Sequence, residues 1–273
     1  MITYPNSKIN LGLKVLEKRK DGFHHLESVF LPVPWCDALE IIENKKVTSE
    51  KVVFSSSGLT IEGGIDNNLC VKAYHLLDAE FSLPPIKMHL HKIIPMGAGL
   101  GGGSSDGAFT LKLLNDLFHL KLSTTQLKKQ AAKLGSDCSF FIHNTPSFAT
   151  GRGEKLKSIR LPLSGVHLVI LHPPIHINTT EAFKHILRSP YQYSLTALPD
   201  WNHKTWQKRI QNDFEGYAFS RYPSLRILKE ELYRKGAFYA SMSGSGSAIY
   251  GLFDSKIKIA TSWNNLSVFQ TTL

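Results

Sequence analysis

The sequence predicts an α+β protein of two domains, and three observations carry that expectation. Runs with strand alternation and runs with helical spacing mix irregularly along the chain rather than alternating one by one. A glycine-rich stretch, PMGAGLGGGSSDGAF at 95–109, sits between apolar flanks and puts six glycines, two serines and an aspartate into fifteen residues. Further on, GRGEK at 151–155 interrupts the pattern and suggests a division into residues 1–152 and 153–273.

Residues 1–55 alternate as strands do: Ile9, Leu11 and Leu13 share one parity, and 29–33 and 39–42 follow after turns. LCVKAYHLLDAEF (69–81) has helical spacing, with Leu69, Ala73, Leu76 and Leu77 on one face. IKMHLHKI (86–93) sets Ile86, Met88 and Leu90 against Lys87, His89 and His91, the pattern of an antiparallel strand with one wet face. A helix over 104–118 follows the glycines, with Ala108, Leu111, Leu114 and Phe118 in line. The next helix starts at Ser123, where S-T-T-Q is a capping box, and stops at Gly135. Strands are expected over 148–172, a helix over 179–188, irregular chain over 189–204 and a helix over 224–235. The strand GAFYAS, the turn MSGSGS and the strand AIYGLF come last.

The 273 residues are 42% hydrophobic and 20% charged, an ordinary globular composition. The longest apolar candidate, VHLVIL at 166–171, has the length of one buried strand, so no membrane span is expected. MITYPNSKINLGLKV lacks the layout of a signal peptide. Cys36, Cys70 and Cys138 are scattered and read as reduced thiols of a cytoplasmic protein. A net charge of +10 suits an anionic partner (nucleic acid, phosphorylated metabolite or membrane surface) or simply a well-solvated surface.

The glycine stretch is not a Walker A loop, because no glycine precedes Lys-Ser or Lys-Thr. Gly97, Gly99 and Gly102 match G-x-G-x-x-G, yet the preceding strand is half-wet and no carboxylate lies in 118–126, which excludes a dinucleotide fingerprint. What remains is a phosphate cradle: glycines bare their N–H groups, and the following helix aims its positive end at the loop. Ser104 and Ser105 add hydroxyls for phosphate or magnesium. The competing reading is a purely structural glycine turn.

PMGAGLGGGSSD resembles the second motif of the GHMP small-molecule kinases. SKINLGLKVLEKRKDGFHHLESVF (7–30) resembles their first motif and SMSGSGSAIYGLF (241–253) their third, in order from Pro5 to about Phe253. The resemblance implies a two-domain GHMP kinase fold, with an amino-terminal half like domain 2 of ribosomal protein S5 and a ferredoxin-like carboxy-terminal half. The K-x-N-L, D-G-[FY]-H and G-[AS]-D elements imply a narrower activity, ATP-dependent phosphorylation of the 2-hydroxyl of a cytidine-diphosphate-linked methylerythritol in the non-mevalonate isoprenoid route. ATP would lie under the glycine loop and the cytidyl substrate between the domains.

The resemblance also assigns residues. Asp137, in GSDCSFFI, would take the proton from the attacking hydroxyl; without the family it reads as a cap of the following turn. Lys8 would keep Asp137 ionised and steady the charge on the transferred group. Asn10 would position substrate; Phe23 and Phe183 would stack on cytosine, with His24 hydrogen-bonding it. Without the family, the two rings read as core and His24 as an ordinary surface histidine. Phe23 stands where many members have tyrosine, and Ser139 where proline is common. ATP would meet Asn68, Lys92, Pro95, Gly97, Gly99, Gly101, Gly102, Gly103, Ser104 and Ser105. Asp106, where the family varies, reads as a helix cap, and Gly244 and Gly246 shape a wall. Mg2+ is expected with ATP, although no carboxylate cage is visible. Other GHMP acceptors (mevalonate, homoserine, a sugar) are disfavoured by DGFHH and Phe183. A nucleic-acid partner is disfavoured because no basic stripe interleaves with aromatics. Monomer and homodimer both remain open.

Overall fold

The computed structural model describes residues 1–45, 50–186 and 193–273. In its first half the chain forms β1 (Ile2–Thr3), β2 (Asn6–Lys18), β3 (His24–Cys36), β4 (Ala38–Glu43), β5 (Val52–Gly58), α1 (Leu69–Phe81), β6 (Ile86–Lys92), α2 (Gly102–Leu117), α3 (Thr124–Leu134) and α4 (Cys138–His143). The second half forms β7 (Ser147–Thr150), β8 (Lys155–Ser158), β9 (His167–His172), α5 (Thr179–Lys184), α6 (Trp206–Arg209), α7 (Phe214–Arg221), α8 (Pro223–Arg234), β10 (Tyr239–Met242), β11 (Ile249–Phe253) and β12 (Ser267–Thr272).

These elements group into two compact units that interleave in sequence rather than meeting at one boundary near residue 152. The first comprises Met1–Ser7, Pro34–Met96 and Gly101–Thr145. Its sheet has the order β1-β4-β6-β5. Strand β6 pairs antiparallel with β4 but parallel with β5, so the purely antiparallel expectation is corrected. The physical reason is the connection: α1 carries the chain back from the end of β5 to the start of β6, the crossover a parallel pair needs. Ile86, Met88 and Leu90 face inward as their spacing predicts, and Lys92 follows them into the core. Helix α2 lies against α1, α3 and α4.

Helix α1 has the predicted bounds, and the Ser123–Gln126 capping box of α3 forms in both directions. Helix α2 begins at Gly102, so the last glycines of the loop are already its first turn.

The second unit comprises Lys8–Val33, Gly97–Leu100 and Pro146–Leu273. It holds most of the sheet β2-β3-β7-β8 and all of the antiparallel sheet β10-β11-β9-β12. Helices α7 and α8 bury Phe214, Ala218, Leu225 and Leu232 in a cluster with Val169, Leu171 and Ile249. Strand β2 is buried from Asn6 to Val15 on both faces, including its polar residues Lys8, Asn10 and Lys14. Helix α5 ends at Lys184, and positions 187 and 188 of the expected helix lie outside the described residues. So do 189–192 of the irregular segment, whose remainder contains short 3-10 turns at Leu195–Asp200 and His203–Thr205.

Candidate active site

The glycine stretch adopts the backbone its composition suggests: Gly97, Gly99 and Gly101 have φ of +64°, +75° and +71°, the left-handed region glycine tolerates best. Much of the space their missing side chains vacate is filled by protein. A Cβ on Gly99 would lie 1.9 Å from the Ser243 carbonyl oxygen, and one on Gly97 would lie 2.8 Å from His176 Nδ1. A Cβ on Gly102 would lie 2.9 Å from Lys92 Nζ. Gly103 differs, being exposed with nothing within 4 Å of a built Cβ. The expectation that the glycines make room for a ligand therefore narrows toward Gly103, at the amino-terminal end of α2. Pro95 is buried. Ser105 is fully buried and its hydroxyl has no partner among the described residues, whereas Ser104 is half-buried and bonds the thiol of Cys138.

A cavity of about 320 Å³ opens in the first unit, lined in part by Ser55, Ile65, Asn68, Lys92, Gly103 and Asp106. The structure thus brings together three of the residues expected at ATP: Asn68, Lys92 and Gly103. Asn68 caps α1, its side-chain oxygen accepting from the Cys70 N–H at 2.8 Å. Lys92 is 1% exposed and donates to Asp37 and to Asp106 Oδ2, the latter at 2.7 Å. Burial opposes the charge on Lys92, but the carboxylates of Asp106 and Asp37 outweigh it and hold the ammonium above its ordinary pKa. Asp37 also accepts the N–H groups of Ile93 and Ile94, fixing the chain just before the glycines. Asp106 is therefore a buried ion-pair partner inside α2, and its reading as a helix cap is corrected.

Asp137 is half-buried at the amino-terminal end of α4 and makes no side-chain capping bond to that helix. Its neighbour Cys138 is buried, which pushes that thiol up to about 12 and keeps it neutral. Ser139, in place of proline, donates from its hydroxyl to the Lys128 carbonyl of α3 at 3.1 Å, tying the turn that carries Asp137 to its neighbouring helix.

In the second unit, β2 presents Lys8 and Asn10 side by side. Lys8 Nζ donates to Asn10 Oδ1 and lies 4.9 Å from the centre of the Phe30 ring. The Lys8 N–H donates to the Leu100 carbonyl at 2.9 Å, joining β2 to the glycine stretch. Asn10 is further held: its Nδ2 donates to Ser28 Oγ at 2.8 Å and its carbonyl accepts from the Tyr250 hydroxyl at 2.7 Å. The Asn10 amide is thus engaged by Lys8 and Ser28. Asn212, which sequence reasoning missed, donates to the carbonyls of Met242 and Gly244 at 2.8 Å each and pins the MSGSGS turn.

Phe183 stacks on His24, with centroids 5.3 Å apart and planes 9° apart, and meets Phe214 edge-on. The ring opposite Phe183 is therefore His24. Phe23 is 54% exposed, with the Arg152 guanidinium 4.8 Å over its ring.

Residues 68–145 match the family of GHMP kinases N terminal domains and residues 195–266 that of GHMP kinases C terminal domains. A 4-diphosphocytidyl-2-C-methyl-D-erythritol kinase of Bacteroides fragilis is 50% identical over 260 residues, covering 95% of this chain and 94% of its own. The chain belongs to the GHMP kinase family.

The fold agrees. A crystal structure of 4-(cytidine 5'-diphospho)-2C-methyl-D-erythritol kinase superposes with a TM-score of 0.77 at 30% identity, covering 92% of this chain and 90% of that one. Streptococcus pneumoniae phosphomevalonate kinase shares the fold at 15% identity, with a TM-score of 0.70 and full coverage of both chains. This GHMP kinase accordingly has the two-domain fold of the family, is a phosphotransferase, and takes ATP as phosphoryl donor. Among the described residues no helix is long and apolar enough to cross a membrane.

Of the residues missed by sequence reasoning, Asp106 was visible within the motif, and its burial follows from the α2 stripe it shares with Gly102 and Phe109. Asp37 and Asn212 carried no local signal, because their partners lie tens of residues away.

Proposed function

We propose that this kinase transfers the γ-phosphoryl group of ATP to the 2-hydroxyl of 4-diphosphocytidyl-2-C-methyl-D-erythritol, in the cytoplasm and on the non-mevalonate isoprenoid route. The observation that carries the reading is the joint one: half of 260 aligned positions identical to a relative of that name, and a cavity joining Asn68, Lys92 and Gly103 beside the start of α2.

The nucleotide enters that cavity. Its phosphates meet the free N–H groups at the start of α2, where the helix dipole and the uncovered backbone of Gly103 favour an anion. The stretch from Pro95 through Gly97, Gly99, Gly101 and Gly102 holds this backbone in shape, and Ser104 offers a half-buried hydroxyl that also bonds the Cys138 thiol. Mg2+ would arrive with the nucleotide and neutralise phosphate charge, and Ser104 at the start of α2 is the side chain that would help to hold it.

Asp137 accepts the proton of the 2-hydroxyl as the new O–P bond forms and ADP leaves. Its carboxylate stands half-buried at the start of α4, within reach of a substrate bound there. Lys8 steadies the charge on the transferred group, and Asn10 positions substrate partly by orienting Lys8. His24, Phe183 and Phe23 receive the cytosine, with Arg152 supporting the Phe23 ring from one face.

Purified protein with Mg-ATP and the cytidyl substrate tests this directly by ADP release. Turnover is expected there and little with mevalonate, homoserine or galactose; the reverse order would make this a GHMP kinase of another acceptor.

A further inference from the structure

Asn212 closes a ring of hydrogen bonds that begins and ends on β2. The chain around it is fastened to that strand. The Leu13 N–H donates to the Gln211 carbonyl and the Asp213 N–H to the Leu13 carbonyl, each at 2.9 Å, and the Val15 N–H donates to Asp213 Oδ2 at 2.7 Å. The Asn212 side chain then reaches from β2 to the MSGSGS turn. Its Nδ2 donates to the Met242 and Gly244 carbonyls at 2.8 Å each, and its Oδ1 accepts the Phe214 N–H at 3.0 Å. Those two carbonyls flank Ser243, so the backbone of Ser243 is held on both sides. A hydroxyl has one proton, which fixes how Ser243 bonds. Its Oγ accepts the Asn10 N–H at 3.2 Å and donates to the Gly99 carbonyl at 2.8 Å. From Asn10 the ring reaches Lys8, whose Nζ donates to Asn10 Oδ1. Little slack remains, because a Cβ on Gly244 would lie 3.3 Å from that same Oδ1. Asn212, Ser243, Asn10 and Lys8 are all buried, where a fully bonded polar network is rigid.

We propose that Asn212 is a positioning residue of the phosphoryl-transfer step, which sets through Ser243 and Asn10 where the Lys8 ammonium stands. The inference rests on Lys8 serving phosphoryl transfer. Asn212 holds the turn, the turn holds Ser243, and Ser243 holds the Asn10 backbone. The Asn10 side chain, braced by Ser28 at 2.8 Å, then aims the ammonium. The Asn212 amide is committed to main-chain partners, so it contributes nothing to substrate binding directly. A reacting group displaced by about 1 Å can lose about a hundredfold in rate. Loss of the clamp is therefore expected in kcat and not in KM.

Steady-state kinetics with Mg-ATP and the cytidyl substrate test this on the unmodified chain, Asn212→Ala, Asn10→Ala and the double variant. Asn212→Ala is expected to lower kcat about tenfold to a hundredfold, with both KM values little changed. In the Asn10→Ala background the same change is expected to cost about threefold or less, because the link to Lys8 is already cut. A pin that merely stabilises the fold would cost the same factor in both backgrounds. That additive result overturns the inference, and so does an unchanged kcat or a rise in KM alone in Asn212→Ala. Should Asn212→Ala not fold, Ser243→Ala removes the hydroxyl between the same groups and takes its place in the comparison. If the unmodified protein phosphorylates mevalonate, homoserine or galactose instead, the cytidyl assignment falls and the same comparison decides the inference on that acceptor. An unmodified protein that transfers phosphate to none of them overturns both.

Discussion

Gly99 packs on Ser243 so closely that a Cβ would lie 1.9 Å from the Ser243 carbonyl oxygen, while the Ser243 hydroxyl donates to the Gly99 carbonyl at 2.8 Å. The second and third glycine motifs of the chain therefore touch each other through main-chain atoms. Gly99→Ala must add a clash with backbone to a residue at φ of +75°, and we expect a loss of about 2–4 kcal/mol in unfolding free energy. Denaturant titration measures it; an unchanged midpoint contradicts the packing.

Gly103→Ala is the matched opposite. Nothing lies within 4 Å of its Cβ position, and alanine favours a helix by up to about 1 kcal/mol over glycine. Stability is expected to hold or rise while the KM for ATP increases, because the methyl group would stand where the phosphates meet the backbone. A normal KM would remove Gly103 from the site.

Asp137→Asn is expected to abolish turnover and leave ATP affinity nearly intact, since the amide can neither accept the proton nor carry the charge. ADP release and calorimetric ATP binding separate the two effects. Near-normal turnover would show that another group is the base.

Phe183→Ala removes the ring that stacks on His24 at 5.3 Å. An aromatic pair contributes about 1 kcal/mol, so KM for the cytidyl substrate should rise about fivefold with kcat little changed. An unchanged KM would place the base elsewhere.

Lys92→Met leaves Asp37 and Asp106 buried without their cation, a loss of about 3–5 kcal/mol. The Asp106 carboxyl, already raised by burial, then prefers protonation still more strongly in the folded state than in the unfolded one. The folded protein binds the extra proton, so the variant loses stability as pH rises above the ordinary carboxylate range and recovers it on acidification. Melting temperatures across pH check the sign. A deficit independent of pH would mean the carboxylates are compensated by some other route.

Much of this was legible from local pattern. Helix α1 could be bounded because its apolar stripe runs unbroken; α3 because Ser123 and Gln126 declare its start. The parallel β5–β6 pair was hidden because VVFSSSG carries little apolar alternation, and α7 and β12 went unanticipated. At the site, the motifs named residues but not their company. Lys92 shares the inward parity of Ile86, Met88 and Leu90, so its burial was readable, whereas its pairing with Asp37 depends on the link between β3 and β4, fifty-five positions away. The glycines pointed to a close approach, but only the folded chain shows that Gly97, Gly99 and Gly102 are approached by protein and Gly103 by open space.

A crystal structure with a non-hydrolysable ATP analogue tests the central claim most directly. The account predicts the nucleotide in the cavity lined by Asn68, Lys92 and Gly103, with its phosphates at the start of α2. A nucleotide bound elsewhere, with that cavity left empty, would contradict it.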